Sequence, residues 1–162
     1  MYVSRKLVAI FVLSLGCTTV QADDAADVRK VVDTYMSTEG SDLAAQQKLM
    51  TNDSIFVNQG RRQTDQAHNA MVQIGIGAAF DKFDPESKTF ATATDVIVRV
   101  YGTAAIASFY RHWDLIPSQK LLEASEGDGV VPIPPQIVTL VLVKQGGAWK
   151  IALRHNSPLH PN

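Results

Sequence analysis

Residues 146–157 read Gly-Gly-Ala-Trp-Lys-Ile-Ala-Leu-Arg-His-Asn-Ser. Gln145-Gly146-Gly147 is a hairpin turn, and apolar and polar residues then alternate with a period of two, which is a strand. Trp149, Ile151, Leu153 and His155 are expected on one face of it. Immediately upstream, Gln136 to Lys144 is a nearly continuous apolar strand. Further back, Ala104 to Ile116 is another, and Tyr101-Gly102-Thr103 turns it onto Thr89 to Val100. That last segment is rich in β-branched residues, with Phe90, Val96, Val98 and Val100 expected on one face. The second half of the chain is therefore a run of long antiparallel strands.

The first half is different. Val28, Val31, Val32, Tyr35 and Met36 recur at helical spacing and make one apolar stripe. Asp23, Asp24 and Asp27 sit near its start, where negative charge suits the helix dipole, and Gly40 ends it. Ser41 is placed to cap a second, short helix to about Met50, and Thr64 a third across Ala67, Ala70, Met71 and Ile74, weakened by Gly75 and Gly77. Between them Ser54 to Asn58 is a short strand. Helices first and strands second is the α+β pattern. Residues 117–135, with Pro117, Gly127, Gly129, Pro132, Pro134 and Pro135, form a long loop, of a length typical of a lid or an interface element.

Arg5 and Lys6, the apolar run from Leu7 to Leu15 and the small residues around Ala22 make a secretory signal peptide over residues 1–22. A lipoprotein signal ending at Cys17 is the rival, with Ser14 where a large aliphatic residue is expected. Cleavage after Ala22 leaves a domain over 23–162, periplasmic or secreted. Cys17 is the only cysteine, so that domain has no disulfide and stands on its core. Taking Arg5 and Lys6 from the 15 basic residues leaves 13 against 16 acidic ones, a net charge of −3. No basic stripe suits nucleic acid. The Gln136–Val143 strand is apolar on both faces, which points to a homodimer built on the sheet.

The order of elements, the 146–157 stretch and Asp53-Ser54-Ile55-Phe56-Val57-Asn58 together resemble the nuclear transport factor 2-like superfamily, in its SnoaL-like and ketosteroid-isomerase-like branch. The resemblance implies N-terminal helices packed on a curved antiparallel sheet, a cone-shaped cystatin-like roll around a cavity for a small, largely apolar or partly polar molecule. It implies no single activity: such folds include isomerases, dehydratases and proteins with no reaction, so the site has to be argued residue by residue.

In the ketosteroid isomerase pattern Tyr35 matches an oxyanion donor, but Asn58 stands where a carboxylate base is expected and Thr139 where a second acid is expected. An amide cannot abstract a proton. The dehydratase pattern suggests His112, beside Tyr110 and Asp114 by period-two alternation, and His155 on the last strand. Histidine gives and takes protons near neutral pH. Candidate catalytic residues are thus His112, His155 and Tyr35, with Asn58, Tyr110, Asp114 and Thr139 as ligand contacts. One residue of register decides which face His112 occupies. His68, His112, His155 and His160 show no metal-ligand spacing, no Gly-x-Ser-x-Gly elbow exists, and no cofactor is expected. Three readings follow: an exported small-ligand-binding protein, a cofactor-free lyase or isomerase using His and Tyr, and a dimeric interaction module.

Overall fold

The computed structural model describes residues 16–58, 60–124 and 134–159. Ten elements follow in order: α1 (Gly16–Thr38), α2 (Leu43–Gln47), β1 (Met50–Asn58), β2 (Arg61–Gln63), α3 (Gln66–Phe83), β3 (Lys88–Tyr101), β4 (Ala104–Ile116), α4 (Gln119–Ala124), β5 (Gln136–Gln145) and β6 (Ala148–Pro158). The strands form a single six-stranded sheet in the order β2-β1-β6-β5-β4-β3. Its long strands are antiparallel as expected, but β1 runs parallel to β6, so the sheet is mixed. The architecture is α+β, with helices packed on one face of the sheet.

The apolar stripe of α1 does what its spacing implies. Val28, Val32, Tyr35 and Met36 are buried, against Ala105, Ala107 and Phe109 of β4, Val138, Leu140 and Leu142 of β5, and Trp149 and Ile151 of β6. Full burial of each large side chain stabilises by roughly 1.5–3 kcal/mol. Gly40 ends the helix turn at φ +84, and a Cβ there would lie 2.8 Å from Thr89 Oγ1. Both the backbone and the space demand glycine. At the other end Asp24 accepts from Trp149 Nε1 at 3.3 Å and from Lys144 Nζ, tying α1 to the β5–β6 hairpin. The Lys144 hydrogen bond is the main cause holding its carboxyl below the usual range.

The caps of α2 and α3 lie one residue later than the sequence suggests, whereas α1 begins earlier, at Gly16. Asp42 caps α2, accepting from Ala45 N at 2.9 Å, and Asp65 accepts from His68 N at the first turn of α3. Carboxylates serve as well as hydroxyls here, and these stand next to Ser41 and Thr64. Helix α3 runs on through Gly75 and Gly77. Part of the expected loop is the short helix α4, whose Ser118 hydroxyl accepts from Leu121 N at 3.0 Å; residues 125–133 of that loop lie outside the described residues.

Two bulges overturn the expected faces. On β3 the register slips between Thr94 and Ile97, and Asp95 has φ +51. The extra residue reverses the alternation. Val96 and Val98 pack against the core with Ala91 and Ala93, while Phe90 is exposed on the other side. On β6, Ile151 pairs with Leu142 but Leu153 pairs with the adjacent Val141, so Ala152 is the extra residue. Trp149 and Ile151 point to the helices before it, and Arg154 and Asn156 are the buried residues after it.

Candidate functional site

The polar residues at the inner, helix-covered face are held in layers. Deepest is Tyr35, fully buried on α1. Its hydroxyl accepts from Arg154 Nη1 at 2.7 Å. Burial is the main cause pushing the Tyr35 phenol up to about 12, against the lowering influence of the Arg154 charge. Arg154 is only 8% exposed. Its guanidinium lies 3.6 Å from the centre of the Phe56 ring and 5.7 Å from that of Tyr35, contacts that suit a planar cation. Its Nε is buried with no hydrogen-bond partner, and it has no ion-pair partner among the described residues.

A second layer crosses from α1 to the sheet. Glu39, in the turn after α1, forms an ion pair with Arg111 of β4, and Arg111 also donates to Gln136 of β5. Arg111 sits 5.8 Å from the centre of the Trp113 ring. The outer oxygen of Glu39, Oε2, and Trp113 Nε1 are buried and unpartnered among the described residues.

Above these groups lies a cavity of about 480 Å³. The turn after α1 and helix α2 form one wall (Glu39, Leu43, Gln46), α3 forms the roof (Gln73, Gly77, Asp81), and the start of β3 and end of β4 form the other wall (Thr89, Trp113, Leu115). Arg154 closes its floor, and its surface is mostly apolar. A space of this size suits a small organic molecule.

No family model matches the sequence, and no curated protein matches it at a significant level. Solved structures do match. An NTF2-like protein with a cystatin-like fold from Novosphingobium aromaticivorans superposes with a TM-score of 0.72 at 17% identity, over 91% of this chain and 90% of that one. This chain has the NTF2-like fold. A candidate dehydratase of the NTF2-like family from Streptomyces avermitilis gives 0.63 at 17% identity, over 86% of this chain and 99% of that one. A candidate ketosteroid isomerase from Shewanella frigidimarina gives 0.57 at 18%, over 79% and 92%.

Within this NTF2-like fold the candidate residues divide by face. Tyr35 lies inside, beneath Arg154. Asn58 is half-buried and pairs in register with Asn156, on the inner side with Phe56 and Arg154. The other five sit on the outer face. His112 pairs in register with Thr92, and its Nε2 lies 2.9 Å from Thr94 Oγ1; Asp114, expected to orient it, is exposed beside it. Tyr110 is exposed. Thr139 alternates with the buried Val138 and Leu140 and pairs with His155, which is exposed. The expectation that His155 faces apolar surroundings is wrong, because the Ala152 bulge turns it outward. Neither histidine reaches the cavity. Glu39, Trp113 and Arg154 line it instead, with Arg111 held behind them by its ion pair to Glu39. Arg154 carried a readable signal: a cation inside an aliphatic strand is there because something holds it.

Proposed function

We propose that this chain is an exported protein that binds a small, largely apolar molecule in the cavity beneath α3. The observation that carries this reading is the cavity itself, whose surface is mostly apolar and whose lining includes Glu39, Trp113 and Arg154, each with a buried polar atom unpartnered among the described residues. Buried polar atoms cost free energy when unpaired, and a ligand that pairs them recovers it. Export is supported by the sequence of residues 1–22; residues 1–15 lie outside the described residues. Processing after Ala22 leaves the Asp24 anchor in place.

The test is a thermal-shift screen of small apolar and partly polar molecules, repeated on Gly77→Leu. Gly77 lines the cavity, and a Cβ there lies 3.6 Å from Leu43 Cδ1, so a leucine occupies ligand space. Hits that raise the melting temperature of the wild type and lose that effect in Gly77→Leu support the reading. Hits unaffected by the substitution place the ligand elsewhere and sink it.

A cofactor-free lyase or isomerase is the second reading, favoured by one observation: Glu39 lines the cavity and its Oε2 has no hydrogen-bond partner among the described residues, which leaves a carboxylate oxygen free to take up a proton. Turnover of any hit by wild type and its loss in Glu39→Gln would separate catalysis from binding. A homodimer is proposed through the outer sheet face, where Ile97, Tyr101, Ile106 and Tyr110 are exposed. Sedimentation showing only monomer at micromolar concentration would remove it.

A further inference from the structure

We infer that the molecule bound in this cavity is an organic acid whose carboxylate seats on the side-on edge of Arg154. The inference rests on the reading of the cavity as a ligand site and adds the chemical class of the ligand.

The argument begins with charge. Two ionised side chains are buried in the lining, Glu39 and Arg154, and Arg111 stands behind Glu39; the other charged residues of the lining, Asp81 and Lys88, are solvent-exposed, opposite in sign and offset each other. Glu39 and Arg111 neutralise each other. Arg154 is left as one surplus positive charge, nine-tenths buried, with no carboxylate in ion-pair range among the described residues. A buried charge without a counter-ion is strongly unfavourable. Tyr35 and the two aromatic faces relieve part of that cost, but they supply no negative charge, since a phenol whose pKa is about 12 is neutral at pH 7.

Geometry then selects the anion. Tyr35 uses Nη1. The opposite edge of a guanidinium, formed by Nε and Nη2, is the fork that grips the two oxygens of a carboxylate in parallel hydrogen bonds. Nε on that edge is buried and unpartnered among the described residues, and Arg154 lines the cavity. The rings of Phe56 and Tyr35 stand against the guanidinium and help to fix the plane of the fork. Trp113 Nε1, also buried without an acceptor in the lining, is a further donor for the same ligand. The rest of the lining is mostly apolar and suits the hydrocarbon part of an acid.

The probes are naphthalene-2-carboxylate and its neutral isostere naphthalene-2-carboxamide, titrated calorimetrically into the full processed chain at pH 7. The acid should bind at least about tenfold more tightly than the amide, as charge-assisted hydrogen bonds are stronger than neutral ones. Arg154→Gln, and independently Arg154→Met, should abolish that preference, so that acid and amide bind within about threefold of each other. Equal binding of acid and amide by the wild type overturns the carboxylate inference and leaves the ligand-site reading standing. Binding of neither overturns both. A preference that survives in a folded Arg154 variant also overturns the inference, because the charge is then read elsewhere. The wild-type comparison decides the matter even if both variants fail to fold.

Discussion

On the inner face of the sheet, Tyr35, Arg154 and Glu39 are buried and Arg111 is largely so, and each is fixed by at least one partner from a distant part of the chain. On the outer face, His112, His155, Tyr110 and Asp114 are partly or fully exposed. The residue types on the outer face look more like chemistry, yet the inner face has the conditions for it. A polar group held away from water feels its neighbours' charges strongly; a solvated one can relax and is screened. The difference shows that location relative to the bulges, more than residue type, selects the functional candidates.

The sharpest way to break the comparison is to remove the residue that creates it. Deleting Ala152 restores simple alternation on β6 and forces a choice. Either Arg154 and Asn156 turn outward and His155 turns inward, or the strand slips by one residue and Trp149 and Ile151 leave the core. Each outcome removes several buried side chains from their places. The expected result is no cooperative unfolding transition, since the loss is comparable to a domain's whole stability of roughly 5–15 kcal/mol. A cooperative, near-wild-type melt would show that β6 does not depend on the bulge.

Glu39→Ala asks a smaller question of the inner face alone. It leaves Arg111, whose side chain is 11% exposed, without its counter-ion. Breaking one side of a buried pair costs about 3–5 kcal/mol, which urea denaturation would register as a lower midpoint at unchanged slope. A loss below about 1 kcal/mol would mean that the pair is effectively solvated.

These residues also mark how much the sequence discloses. The stripe Val28, Val32, Tyr35, Met36 was legible because helix periodicity is local and repeats over three turns. The hairpins at Gly102 and Gly146-Gly147 were legible because the positive φ values there favour glycine. The two bulges were not. Asp95 and Ala152 replace no regular signal: neither is Gly or Pro, and each lies inside a segment that reads as an unbroken strand. A bulge is set by pairing with another strand, which is long-range information. The errors of alternation followed from these two positions: Phe90 outward instead of inward, Leu153 and His155 off the face of Trp149; Tyr110, Asp114 and Thr139, expected at the ligand from the family resemblance, lie on the outer face without any bulge of their own strands. The parallel pairing of β1 with β6 was hidden for the same reason. Glu39 and Arg111, 72 positions apart, meet only in the folded chain.

Tyr35→Phe sharpens the comparison by testing the layer beneath Arg154. The hydroxyl accepts a charge-assisted hydrogen bond, so its loss should cost about 1.5–3 kcal/mol. The same variant carries a pH signature. The folded-state pKa of Tyr35, about 12, lies above its ordinary value of 10.0. The unfolded chain therefore loses this proton first as pH rises. The contribution of Tyr35 to stability is complete below pH 10 and declines as pH climbs from there through about 12. Denaturation midpoints measured across that window should fall more steeply in the wild type than in Tyr35→Phe. Parallel slopes would show that the phenol is not held neutral by burial.

The smallest effect is expected at His155, and its smallness is what matters. The ring is exposed, it sits opposite Thr139, and the bulge places it on the side of the sheet away from Arg154 and the cavity. His155→Gln therefore removes no core contact. Substitutions at such surface positions usually change stability by less than about 0.5 kcal/mol. Binding of a cavity ligand should stay within about twofold of wild type, since His155 is not among the residues that line the cavity. The informative comparison is with Arg154→Gln in the same titration: one residue earlier in the chain, the same replacement side chain, the opposite face. If His155→Gln weakens binding as much as Arg154→Gln does, then the last strand presents both residues to the ligand, and the division of the sheet into a working inner face and a solvated outer one is wrong. If it alters only the monomer–dimer equilibrium seen by sedimentation, the outer face is an interface and the inner face keeps the chemistry.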